Sequence, residues 1–589
     1  KSAPIAAPGP PFNTKSAADP TNNAPLWEMA RARHTFRTAP STIRDPISPA
    51  RREIMASIAS LKALIVVLVA LAIAYVIRPR FKDEGLAIRI LLFWGWAAIS
   101  ALAFQIPFVR ILLLFIGMLI FAPQKFEDRA PFLLCCLFAV PVEASWVVPF
   151  PGINFLIKLG FVSLIFMVLG TPILLGAGRD RRAPSTNPNT ALTDTAVIML
   201  VIATWLLDMR AAEATMTTGM RSIVMKTLTI TLPYYAISRG MGSPESMRAM
   251  VRGIVAISPH LVVLGLITFL MQWNVYMEVD PSGVLATTNS RGSSIRVVLT
   301  TAHAMAGLLI TMAAMALWFA RDRLITPKIV VYGLLPGTLF VLLATQSRGA
   351  LLAAMVAFAV LVFCRVRSMG LRTMMVIAGT IFSAIAIPFI VGGDVSEIDE
   401  FGTFSYRQDL LVEGMRHIVA HPIFGQADFM SDPRFDYLLQ GQGIVDFTNG
   451  YLIYGLQWGL VGLGLLLFLH TRTVLSLIRS ADRFHAKGHD DLAGIAMGVA
   501  AAQVGYMAMI ATISFISFIG VFGFVLVGLG SAVSGLSKRI PATDALTQSI
   551  EGNHTSQQPS TRPSPPPEGQ TADGEFNIDI TPGVKGWPT

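Results

Sequence analysis

Between Gly393 and Asn449 an otherwise apolar chain carries the side chains that could do chemistry: Ser405-Tyr406-Arg407, His417, His421-Pro422 and Thr448-Asn449-Gly450-Tyr451-Leu452. Arginine presents a planar fork of donors that fits two phosphate oxygens at once, so an arginine at a membrane surface suits a lipid phosphate. A second such residue is Arg348, in Gln346-Ser347-Arg348-Gly349-Ala350-Leu351-Leu352. A third is Arg291, in Asn289-Ser290-Arg291-Gly292, and Arg210 and Arg221 are weaker candidates. Two guanidinium groups, Arg348 and Arg407, facing each other at the mouth of a bundle would clamp a diphosphate. Each also has a plainer reading: Arg348 as an anchor that snorkels to lipid headgroups, Arg407 as the partner of Asp409, Glu413 or another loop carboxylate. His417 and His421 can move a proton near neutral pH or simply hold the loop together. Asp394, Glu397, Asp399 and Glu400 match no calcium-loop spacing and read as a solvated rim, so no metal site is expected.

The scaffold for these residues follows from composition. Of 589 residues 53% are hydrophobic and 14% charged, with a mean hydropathy of +0.59, which excludes an ordinary soluble enzyme. Long apolar runs separated by short basic connections predict an all-α fold, a polytopic transmembrane helical bundle of about 12–15 spans with one larger external helical loop. The net charge of +10 is spread over connections and the amino tail, so it reads as membrane orientation and not as a nucleic-acid surface. Cys135, Cys136 and Cys364 have no framework spacing, and neither disulfides nor thiolate metal binding is expected.

The spans are read at about 58–77, 86–104, 108–122, 131–148, 153–175, 195–207, 222–238, 253–272, 297–319, 328–346, 350–364, 372–392, 450–469, 491–511 and 514–536. Around them the chain divides into a disordered basic amino tail, 1–57, an amino-terminal bundle, 58–290, a second membrane region, 291–537, that contains the loop 393–449, and a disordered carboxyl tail, 538–589. The first apolar run is read as a retained span and not as a signal peptide. Arg321, Arg323 and Lys328, then Arg365, Arg367 and Arg372, then Arg472, Arg479, Arg483 and Lys487 occupy alternate connections, which places those loops inside. Arg348, Arg291 and the island then lie outside. This count leaves the basic amino tail outside as well, against the same rule, so one early segment, within 86–122 or at 195–207, is expected not to cross fully.

Within the island, Ser405-Tyr406-Arg407-Gln408 has capping-box form and His421-Pro422 is a stop, predicting a helix from about Tyr406 to Ala420. Helical phase puts Arg407, Leu411, Gly414 and Ile418 on the docked face, His421 near it and His417 on the flank. His421→Ala is therefore expected to harm activity more than His417→Ala.

Three pieces in this order resemble the O-antigen ligase and polymerase superfamily of bacterial envelope glycosyltransferases. Ser347-Arg348-Gly349-Ala350-Leu351-Leu352 is like the family's S-R-G-A-L-L turn. Tyr406-Arg407 followed by His421-Pro422-Ile423-Phe424-Gly425 is like its arginine and P-x-x-G loop helix. Thr448-Asn449-Gly450-Tyr451-Leu452 with Gly459-Leu460-Val461-Gly462-Leu463 is like its H-N-x-Y-L entering a glycine-containing span. The resemblance covers roughly residues 290–470. It implies transfer of a saccharide from undecaprenyl diphosphate to an acceptor hydroxyl outside the cytoplasmic membrane, by a multi-pass protein of the bacterial inner membrane. In that reading Arg348 and Arg407 stabilise the leaving diphosphate, His421 joins them in catalysis, and Arg291, Tyr406, His417, Asn449 and Tyr451 bind substrate. No cofactor is required. The lipid bilayer, the lipid-linked saccharide, and a flippase and chain-length regulator of the same pathway are the implied partners.

One departure matters: Thr448 stands where the family commonly has the histidine proposed as general base, and threonine cannot be that base near neutral pH. Either His421, His417 or Asp446 takes the proton, or proton removal is late. The departure favours a polymerase over a ligase onto lipid A core. A flippase or other transporter would need midplane charge and repeated halves, neither of which the sequence shows; an assembly protein with a dead site is the remaining reading.

Overall fold

In a bilayer every backbone polar group must find its partner within the chain, and helices satisfy that locally. The computed structural model describes residues 49–78, 80, 84–104, 106–137, 139–140, 145–150, 153–177, 188–276, 290–291, 294–295, 328–366, 368, 370–371, 373–375, 377, 403–439, 445–513 and 519–541. The chain divides into two units, residues 1–59 and 60–589, and within the first the described part is the helical start at 49–59.

The helices run α1 (Pro49–Ile77), α2 (Gly85–Ala103), α3 (Pro107–Phe121) and α4 (Phe126–Cys136), then, after a hairpin of β1 (Ser145–Phe150) and β2 (Ile153–Gly160), α5 at 161–177 and α6 (Pro188–Asp208). A helix α7 at 216–240 and α8 (Pro244–Met271) follow, then a two-residue strand pair, Ser290–Arg291 with Ser294–Ile295. The second region holds α9 (Lys328–Ala344), α10 (Arg348–Arg365), α11 (Thr403–Ala420), α12 (Gly450–Ala486), α13 (Asp490–Ile510) and α14 (Ile519–Arg539). Among the described residues seven helices are long and apolar enough to cross a membrane, α1, α2, α6, α8, α12, α13 and α14, with shorter apolar helices at Pro107–Phe121, Phe161–Gly176 and Gly349–Phe363. The protein is an all-α polytopic membrane protein.

The antiparallel hairpin is a departure from the sequence reading. Residues 131–148 and 153–175 were both expected to be spans, but α4 ends at Cys136 and β1 pairs with β2 from Ser145↔Gly160 to Phe150↔Ile153. Pro141, Pro149 and Pro151 forbid a continuous helix there, and Trp146-Val147-Val148 favours a strand. Of the two segments suspected of not crossing fully, 195–207 lies inside the 21-residue α6, and 86–122 holds α2 and the shorter, 15-residue α3. Predicted span 297–319, most of 372–392, and the acidic group at 394–400 lie outside the described residues, as do nearly all of both tails.

Lipid tails are as apolar as leucine, so these helices are held by close packing more than by hydrophobic transfer. Small residues set the crossings. A Cβ on Gly505 of α13 would lie 2.7 Å from the Ala353 carbonyl oxygen of α10, and one on Gly528 of α14 2.6 Å from the Tyr234 carbonyl oxygen of α7. α12 packs on α6, α13 and α14 and also carries α11, so it is the post on which the candidate site is mounted. Its helix is broken at Gly459, whose φ of 61° and ψ of −159° are not helical.

Candidate functional site

The first arginine motif forms the start of α10. Gln346 takes a left-handed φ of 51°, Ser347 turns its hydroxyl back to accept from the Ala350 amide at 3.4 Å, and Arg348 follows as the first helical residue. Gly349 is small because α13 ends against it: a Cβ there would lie 2.8 Å from the Thr512 hydroxyl. Ala350 and Ala353 are buried in the same seam. The S-R-G-A sequence therefore specifies a capped helix start pressed on the end of a neighbouring span, with Arg348 beside the contact.

The third motif forms the start of α12. The Asn449 side-chain oxygen accepts from the amides of Tyr451, at 3.0 Å, and Leu452, at 3.1 Å, capping the helix. The Tyr451 hydroxyl donates to the Met507 carbonyl of α13 at 2.9 Å. Both were expected to bind substrate; Asn449 spends its side-chain oxygen on capping α12, and Tyr451 its hydroxyl on joining α12 to α13 near the end that receives Gly349. Thr448 immediately precedes the cap.

The helix of the second motif, α11, starts at Thr403, two residues before the expected cap, so Ser405 lies inside it. It docks on α12 through Gly414, where a Cβ would meet Leu452 at 2.7 Å, and through Ile418, which would meet a Cβ on Gly455 at 2.7 Å. Tyr406 fastens the helix to the chain entering α12: its hydroxyl accepts from the Asp446 amide at 2.8 Å and donates to the Asp446 carbonyl at 3.2 Å. Arg407 is half-buried at the edge of the docked face, which agrees with its expected phase, whereas Leu411 is exposed. The histidines exchange their expected places. His417 is 1% exposed, in the middle of the docked face, and His421 is exposed beyond the helix end, their rings 5.2 Å apart. The phase count went one position astray because Leu410, and not Leu411, is the buried leucine.

His417 is held by two residues that the sequence reading did not single out. Arg434 donates to its Nδ1 at 3.0 Å, and an Asp432 oxygen lies 3.3 Å from the same atom. Arg434 and Asp432 pair with each other at 2.7 Å. Burial, then the Arg434 charge, hold the His417 imidazole below its ordinary pKa against the pull of Asp432. The Arg434 hydrogen bonds hold the Asp432 carboxyl down at about 2. Phe435 stacks beside His417 and, with Phe429, Leu438 and Phe447, fills a small core beneath the loop.

The Pro422–Gly425 turn plugs the break in α12. The Leu460 amide donates to the Pro422 carbonyl at 2.8 Å, the Val461 amide to Ile423 at 3.2 Å, and the Gln426 amide to Leu456 at 2.8 Å. Arg210 clasps the turn from outside, donating to the Phe424 carbonyl at 2.6 Å and to Gly425 at 3.2 Å. Close by, Asp208 at the end of α6 gathers Lys226 at 2.8 Å, the Trp458 indole N–H at 2.7 Å, Gln457 at 3.1 Å and the Ser222 hydroxyl at 3.1 Å. Lys226 falls within the predicted span 222–238, and Asp208 one residue past the predicted span 195–207. Arg221 is committed to the hairpin, donating to the Phe155 carbonyl at 2.8 Å over its ring. Arg291 lies in the short strand pair. Among the described residues no group of three or more His, Cys, Asp or Glu is placed to hold a metal.

The three motifs thus meet through α12 and α13 at one end of one bundle. The opposite end carries a second set of charges: Arg239 on Asp194 at 2.7 Å, Arg248 on Asp491 at 2.8 Å, and Lys487 on the Ser537 and Ile540 carbonyls. Residues 333–467, which enclose Arg348, Arg407, the Pro422–Gly425 turn and Asn449, match the protein family described as O-antigen ligase. Over this segment the chain is similar to the O-antigen ligase family. The chain matches none of the curated proteins with which it was compared. The matched segment takes in α10, α11 and the first half of α12, while α13, which joins their ends, and Asp208, Arg210 and Lys226, which brace the loop, lie outside it.

Proposed function

We propose that this protein is an inner-membrane glycosyltransferase that polymerises a polysaccharide from undecaprenyl-diphosphate-linked oligosaccharides on the external face. The observation that carries the reading is the O-antigen ligase match enclosing Arg348 and Arg407, on elements tied to one end of the bundle. Both guanidinium groups bind the diphosphate of the donor. An acceptor hydroxyl oxygen attacks the anomeric carbon, the bond from that carbon to the diphosphate oxygen breaks, and the fixed positive charge of the guanidinium groups stabilises the negative charge that grows on the leaving undecaprenyl diphosphate. This chemistry needs no metal. The basic residues gathered at the opposite end of the helices support an external position for the site.

The proton of the acceptor goes to His421, the exposed histidine of the loop. His417 is turned inward and occupied by Arg434, and Thr448 has no basic lone pair at neutral pH. Thr448 supports polymerisation over ligation to a lipid A core.

Deleting the gene and analysing lipid-linked saccharides tests the reading. Single-repeat glycolipid is expected to accumulate. Long lipid-linked chains would reveal a ligase, and an unchanged pool would overturn both.

A further inference from the structure

α11 has more apolar surface than the bundle covers. At about 100° per residue, Tyr406, Leu410, Gly414, His417 and Ile418 fill the docked arc, with Arg407 at its edge. Leu411, Val412, Met415 and Val419 occupy the adjoining arc, roughly 100° wide, and all four are exposed, Val419 by 73%. Ser405, Asp409 and Arg416, exposed as well, fill the next arc, beside Val412, and the half-buried Gln408 lies within the apolar arc. A helix in water on both free faces would not keep four large apolar residues together on one of them.

The stripe continues into a span. Past Ala420 it meets Ile423 and Phe424, both exposed, whose turn is hydrogen-bonded into α12 at Leu460 and Val461. Leu460 is 57% exposed, and Leu467, Phe468 and Leu475 carry exposed apolar surface further down α12, which in a spanning helix faces lipid. The exposed apolar residues of α11 and of α12 are thus linked through the Pro422–Gly425 turn.

We propose that α11 is an interfacial helix whose occupant is the bilayer itself. Leu411, Val412, Met415, Val419, Ile423 and Phe424 sit in the headgroup and acyl boundary, and Ser405, Asp409 and Arg416 face water. One consequence rests on the proposed function: Arg407, at the seam between the docked and lipid-facing arcs, meets a lipid-borne diphosphate arriving sideways from the membrane.

The test uses the wild-type chain in nanodiscs containing a phospholipid with a diazirine in its acyl chain, followed by photolysis and peptide mass spectrometry. Adducts are expected on 411–424 at a yield comparable to that on 467–475 of α12, and Met415→Asp with Val419→Asp should lose those on 411–424 while keeping those on α12. Labelling of α12 with none on 411–424 would overturn the proposal, as would α11-to-α11 crosslinks between two copies that replace the lipid adducts. The readout does not depend on activity: Arg407→Ala should keep the labelling, so failure of the glycosyltransferase reading leaves this result distinct.

Discussion

Gly425 and Gly459 hold each other in left-handed conformations that neither would keep with a side chain. Their φ angles are 63° and 61°. A Cβ on Gly425 would lie 2.6 Å from the Gly459 nitrogen, and one on Gly459 2.5 Å from the Gly425 nitrogen. The loop turn and the helix break are thus two halves of one contact, in which the loop supplies carbonyls to amides that the broken helix would otherwise leave without partners.

Replacing either glycine by alanine adds backbone strain to a backbone clash. We expect each single substitution to cost about 2 kcal/mol or more, read as a shorter half-life of the folded protein on heating in detergent. The double substitution should cost less than the sum, because each clash disturbs the same contact. Unchanged thermal half-lives in both singles would mean that loop and span are not locked together.

This contact shows what could be read in the sequence. His421-Pro422-Ile423-Phe424-Gly425 and Gly459-Leu460-Val461-Gly462 were visible as motifs, because glycine and proline announce backbone geometry; that the two touch is a long-range fact that no local pattern carries. The α11 helix was legible from its apolar run and its proline stop. Its phase was not, since Leu410 and Leu411 are equally apolar and only docking chooses between them. The β1–β2 hairpin was hidden by hydropathy, which cannot tell a short apolar strand from part of a span. Asp432 and Arg434 escaped notice because their role comes from contact with His417, 15 and 17 positions away.

Arg348 and Arg407 should each be indispensable to polymer formation. Losing a group that stabilises developing charge typically lowers the rate by about 10²–10³-fold, so alanine at either position is expected to abolish visible polymer at unchanged protein level. Lysine should restore part of the activity, keeping the charge but not the two-pronged donor geometry. Normal chain length in the double alanine variant, seen on a gel of extracted polysaccharide, would end the assignment.

Asp208 and Lys226 form a pair with side chains 21% and 12% exposed, braced by Trp458 on the residue before the α12 break. Asp208→Asn leaves the ammonium without its counter-charge and should destabilise the protein by about 3–5 kcal/mol. Adding Lys226→Met removes the stranded charge and should recover most of that loss. A double variant as unstable as the single, measured by thermal aggregation in detergent, would show that the ion pair is not what the site requires.

The two histidines should separate by readout. His417→Ala takes a buried acceptor from Arg434 and opens a hole beside Phe435, so a stability loss of about 1–3 kcal/mol is expected. His421→Ala removes an exposed ring and should lower turnover at unchanged stability. Full activity in both variants would take histidine out of the mechanism.

Acid should loosen the 429–438 segment from α11 in two stages. A histidine whose folded pKa lies below its ordinary value of about 6.5 binds its proton more readily once released. The contribution of neutral His417 is therefore complete above that value and lost as pH falls through the lower folded value. The Asp432 carboxyl, held at about 2 against an ordinary 3.8, contributes fully above 3.8 and is lost only as pH falls from there toward about 2. Loosening that sets in as pH falls below about 6.5, while it is still above 3.8, thus belongs to His417 and not to Asp432. Amide hydrogen exchange over 429–438, corrected for the intrinsic pH dependence of exchange, should rise first in that window and again below it, and His417→Gln should remove the upper stage while keeping the lower. A single transition below pH 4 in the wild-type chain would show that His417 does not control the docking.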